Sequence, residues 1–100
     1  MPTLAKCPKT LSALWQEYEF GVNGQKPAKE FSSRERENCR FTYYRRKVFW
    51  DKVSEMVRAG YTCHAAIDKI YDVYRNASVT TIINLMKADK KRGGHPDLKV

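Results

Sequence analysis

Apolar residues return at helical spacing in several stretches of the chain, and no stretch keeps a period of two for long enough to be a strand. The first stripe is Leu11, Leu14, Trp15 and Tyr18, an i, i+3, i+4, i+7 set that Thr10 can cap, with Glu17 and Glu19 on its wetter side. Gly21, Asn23 and Gly24 end that helix, and "KPAKEF" (26–31) permits one short helical turn opened by Pro27. Ser32 and Glu35 then have the capping-box spacing, and neither Gly nor Pro occurs from there to Arg58. This predicts a long helix over 34–58, with Asn38 the place for a break. On a 3.6-residue wheel Phe41, Tyr44, Val48, Lys52 and Met56 gather on one side beside Phe49 and Val53, a stripe expected to pack. Gly60 stops the helix. Thr62 caps the next, 63–75, with Ala66, Ile67, Ile70, Val73 and Tyr74 inward. After the connector "RNAS" (75–78), Ser78 caps a last helix that buries Val79, Ile82, Ile83 and Met86 and runs to about Lys91. Gly93-Gly94 ends it, and Pro96 prevents a restart. The pattern predicts an all-α fold of four to five helices: a flexible lead-in 1–9, one helical domain 10–93 and a flexible tail 94–100.

The same wheel gives the long helix a second face. Arg36, Arg40, Tyr43, Arg46, Lys47 and Trp50 fall nearly opposite the predicted core stripe, with Arg45 at the edge, its stem buried and its guanidinium reaching outward. One face would pack and the other would present cations beside two rings. Composition supports that division. The chain of 100 residues carries a net charge of +8, and the excess is local. Residues 25–50 hold eight cations against three acids and residues 76–100 five against two, while residues 1–24 and 51–75 are each balanced. Basic patches of this kind meet phosphate polymers or anionic membranes. A membrane surface is the weaker match, because the basic helix also carries an apolar stripe that a globular core would claim. Charged residues also break every window short of the ~20 apolar residues a span needs.

A second candidate lies in the helix pair 62–75 and 79–91, which has the outline of a helix-turn-helix. Its second member would offer Thr80, Thr81 and Asn84 to base edges, followed by Lys87, Lys90 and Lys91 for phosphates. Other chemistry is thinly represented. No Gly-rich phosphate loop follows a strand, no carboxylate pair has catalytic spacing, and His64 lacks a nucleophile–acid partnership. Cys7, Cys39 and Cys63 form no CxxC pair, so free thiols are expected and no metal site.

The segments "TLSALWQEYEFGVNGQKPAKEF" (10–31) and "FTYYRRKVFWDKV" (41–53) resemble the DNA-binding domain of the fungal transcriptional activator of glycolytic genes. Related domains occur in stress-response activators and in Crypton-type tyrosine-recombinase elements. The shared pattern is a Leu-Trp-x-Glu-aromatic helix, a Gly-rich connector and an aromatic-x-Arg-Arg-Lys motif heading an apolar-periodic helix. It covers residues 10 to about 58. The resemblance implies sequence-specific binding of duplex DNA, with the Arg45-Arg46-Lys47 helix as the contact. The expected protein is therefore not an enzyme. It is a nuclear DNA-binding domain of a transcription regulator or mobile-element protein, with double-stranded DNA as partner and no cofactor, membrane or small-molecule substrate. A helical module for acidic protein partners, or an RNA binder, are the alternatives.

Overall fold

Side-chain hydroxyls open four of the five α-helices, each at the residue the spacing singles out. The computed structural model describes residues 4, 6 and 8–99. Its helices are α1 (Leu11–Glu19), α2 (Ser33–Asn38), α3 (Arg40–Arg58), α4 (Cys63–Val73) and α5 (Val79–Lys91). Thr10 caps α1, accepting from the Ala13 amide, and Thr62 and Ser78 cap α4 and α5 through the Ala65 and Thr81 amides. At α2 the full capping box forms: Ser32 Oγ accepts from the Glu35 amide, and the Glu35 carboxylate accepts from the Ser32 amide. Each such contact satisfies a backbone donor that the helix start would leave unpaired. The long helix expected over 34–58 is broken at Cys39 (φ −123°, ψ 36°), one residue beyond Asn38. Short 3₁₀ turns at Ala28–Glu30 and Pro96–Leu98 complete an all-α fold, with no strand among the described residues.

Three other helices pack on α3. Leu11, Leu14 and Trp15 of α1, Ala66, Ile67 and Ile70 of α4, and Val79, Ile82, Ile83 and Met86 of α5 are buried, as their spacing predicts. On α3 the phase differs from expectation. Tyr43, Arg46, Phe49, Trp50, Val53 and Met56 are buried, while Phe41 is 85% and Tyr44 47% exposed.

The reason lies on α1. Trp50, with no exposed surface, donates its indole N–H to the Leu14 carbonyl at 2.9 Å and stacks on Tyr18 with ring centroids 5.3 Å apart. Tyr43 sits edge-on to Trp50 at 5.3 Å and stacks on Phe31 at 6.1 Å. Arg46, between Tyr43 and Trp50 in the sequence and 5% exposed, donates to Glu17 Oε1 at 2.6 Å. Glu17 is buried too, not on a wet side. A buried indole N–H and a buried charge are both tolerable only with a partner, and α1 supplies both. Phe41 and Tyr44 ask for area alone, so they lose the contest for the core.

The segment expected as a tail folds back. Leu98 is 2% exposed, and Lys52 donates to its carbonyl at 3.3 Å. Of the lead-in, Leu4 packs against the core and the Lys6 carbonyl accepts from Arg46 at 3.5 Å. The expectation of flexibility over 1–9 falls partly on residues 1–3, 5 and 7, outside the described set. Cys39 and Cys63 are free thiols, and Cys7 also lies outside the described residues.

Candidate nucleic-acid interface

The break at Cys39 and the rotated phase of α3 redistribute the predicted site. Tyr43, Arg46 and Trp50, expected on a solvent-facing ridge, belong to the α1–α3 core, and that expectation is corrected. Their geometry explains their chemistry: burial pushes the Tyr43 phenol up, and the Arg46 guanidinium is committed to Glu17. Arg36 is half-buried and folded onto its own helix, donating to the Ser32 carbonyl at 3.4 Å and to Ser33 Oγ at 3.3 Å.

Much of what the N-terminal half of α3 presents outside the core falls into two adjacent stripes at i, i+4, i+7 spacing. One holds exposed Arg40 and Tyr44 with half-buried Lys47, the other exposed Phe41 with half-buried Arg45 and Val48. Arg40 is exposed, faces Glu37 at 3.4 Å and lies over the Phe41 ring, 5.6 Å from its centroid. Lys47 pairs with Asp51 at 2.6 Å, and that hydrogen bond holds its ammonium above the usual lysine range. Both pairs are at least one-third exposed, where ion pairs are weak and easily exchanged for a phosphate.

Arg45 is the exception. It is half-buried and reaches across to α5, where Nη2 donates to Asn84 Oδ1 at 3.3 Å. Asn84 shares a stripe of α5 with Thr80, Lys87 and Lys91, all exposed. The two helices singled out as alternatives are thus neighbours, and the N-terminal half of each lies beside that of the other. Farther along, Val48 and Lys52 of α3 and Met86 and Lys90 of α5 line a cleft of about 490 Å³.

Thr81 is exposed one step round α5, and its hydroxyl accepts from the Ser78 hydroxyl at 2.9 Å. Lys87, Lys90 and Lys91 are exposed and make no ion pair with a described residue. The structure therefore brings Arg45 together with Asn84 and the α5 lysine stripe. It leaves Arg36, Arg40 and Lys47 toward other flanks of α2 and α3.

Phe41 and Tyr44 are the exposed residues that the wheel assigned to the core. The signal that could have found them is the competing stripe Tyr43, Arg46, Trp50, read together with a carboxylate at Glu17 on the apolar side of α1. Among the described residues no helix is long and apolar enough to cross a membrane. No group of three His, Cys, Asp or Glu among them could hold a metal.

These features define a small, basic helical module in which α3 and α5 lie side by side and share an exposed polar face. Residues 3–75 match the family described as transcriptional activator of glycolytic enzymes, and the chain belongs to that family. It is a family of transcriptional activators, not of enzymes. The match is longer than the resemblance read from motifs, since it takes in α4 as well, and it ends before α5. No similar chain is found among curated proteins or among solved structures.

Proposed function

We propose that the protein is a nuclear module that binds double-stranded DNA with sequence preference, through the surface shared by α3 and α5. The observation that carries this reading is the Arg45–Asn84 hydrogen bond, which makes one face of two helices that each present groove-reading residue types. In this arrangement α5, second member of the α4–α5 hairpin, enters the major groove with Thr80, Thr81 and Asn84 foremost. Arg45 and Phe41 of α3 flank it, the ring suited to a thymine methyl. Lys87, Lys90 and Lys91, with Arg40 and Lys47 farther out, take phosphates, for which a flexible ammonium needs no fixed geometry. Arg46 has no part in the contact.

About five neutralised phosphates give a log–log salt slope near −4.5. Fluorescence anisotropy of labelled random duplexes across roughly 50–300 mM salt measures it. A flat response removes the proposal. Exposed Phe41 and Tyr44 beside Arg40 are also the elements of a stacking platform for unpaired bases. Competition among duplex DNA, duplex RNA and single strands separates the readings: single strands or RNA winning assigns the face to RNA or unpaired DNA.

A further inference from the structure

Arg45 does more to Asn84 than tie two helices together. A guanidinium only donates, so the carboxamide must turn Oδ1 toward Arg45, and the 3.3 Å contact has that polarity. An exposed Asn on its own exchanges between two amide orientations, and Arg45 removes one of them. The NH2 group is left pointing away from Arg45 on the open side of α5, and Oδ1 keeps a second lone pair. An acceptor and a donor held side by side complement the major-groove edge of adenine, which offers the N6 amino group and the N7 acceptor.

The setting fits that task. Thr80 and Lys87, one turn to either side, are exposed and carry no carboxylate that would repel a base edge or phosphate. Asn84 stands in the second turn of a helix whose start is fixed by Ser78, so its position relative to the duplex is set by the fold. It also lies beyond the residues matched by the family.

We infer that Asn84 reads an adenine in the bound duplex, and that Arg45 is the positioning residue holding its carboxamide in the reading orientation. This rests on the duplex-binding proposal above. The test starts from a site selected out of a random duplex pool and changes each base pair in turn, measuring competition against the parent site. The wild type discriminates for adenine at one position by about 10- to 100-fold. Asn84→Asp keeps an acceptor for Arg45 and so preserves the inter-helix contact, but has no donor for N7. It loses the adenine preference at that position alone and gains one for cytosine, whose amino group a carboxylate accepts from. Asn84→Ala loses the preference without changing the salt slope. Arg45→Ala blurs the same position and leaves the salt slope near the wild-type value, since the phosphate contacts are those of Lys87, Lys90, Lys91, Arg40 and Lys47.

Thermal melting establishes that each variant is folded. Folded Asn84→Asp and Asn84→Ala proteins that keep the wild-type preference at every position overturn the inference while leaving duplex binding intact. An unchanged preference in Arg45→Ala overturns the positioning role. A wild type with no salt-dependent duplex binding overturns both the inference and the proposal beneath it.

Discussion

Arg46 stands in the middle of an unbroken Arg45-Arg46-Lys47 triplet, and its three members do three different things. Arg45 reaches across to α5, Arg46 is sealed against Glu17, and Lys47 pairs with Asp51 at the surface. Helical geometry sends neighbours about 100° apart, so adjacency in the chain carries no shared environment. Removing one partner of a buried ion pair strands the other charge, and Arg46→Ala is expected to cost about 3–5 kcal/mol. Glu17→Leu combined with Arg46→Met should recover most of that loss, because neither charge is then left uncompensated. Urea denaturation of the two single variants and the double variant checks this; a double variant as unstable as either single would contradict it. Loss of DNA binding in Arg46→Ala would report unfolding. The residue-scale error of the sequence reading has the same root: a wheel ranks side chains by polarity and cannot see that a carboxylate on α1 waits for a guanidinium on α3. Gly21 shows a second constraint of this scale. Its φ is +81°, and an added Cβ would stand 2.1 Å from the Gln25 carbonyl oxygen, so Gly21→Ala should lower stability by more than about 1 kcal/mol.

At the scale of elements the sequence was most legible, because caps and stripes are local. Thr10, Ser32, Thr62 and Ser78 each take the role their spacing predicts. Ser78→Ala should cost about 1 kcal/mol, read as a lower melting temperature, with the α5 amides exchanging faster in hydrogen-exchange measurements. The capping box of α2 responds to acid. The Lys26 hydrogen bond, and after it the Ser32 amide, hold the Glu35 carboxyl down to about 2 from its ordinary 4.5. Because the folded value is the lower one, the stabilisation is complete above pH 4.5 and is lost as the pH falls from there through about 2. Titration of the Glu35 carboxyl by NMR measures the shift. Glu35→Gln keeps an acceptor for the Ser32 amide, so its α2 amides should show a flat protection profile across the same window. What the elements did not reveal is the break at Cys39, beyond the hint at Asn38. A helix end without a side-chain cap leaves little local mark.

For the whole molecule, the all-helical class follows from period alone, while the relation between α3 and α5 does not, since it depends on contacts between residues 39 positions apart in the chain. The two helices singled out as rival candidates adjoin and share a face. Under the proposed binding mode the net charge of +8 is a poor guide to affinity, because only cations on that face would count. Lys87→Gln with Lys91→Gln should flatten the salt slope by about two, whereas Lys26→Gln with Lys29→Gln, which pair with Glu35 and Glu19, should leave it unchanged. Anisotropy titrations at several salt concentrations distinguish these outcomes, and equal effects from both pairs would show that binding is unlocalised. The docking of Leu98, finally, bears on how the domain may be trimmed. A fragment cut at the family limit, residue 75, would strip away α5 and this C-terminal plug together, baring the oily flank of α3 to water. Such a piece should clump or melt early, however complete its motif looks on paper.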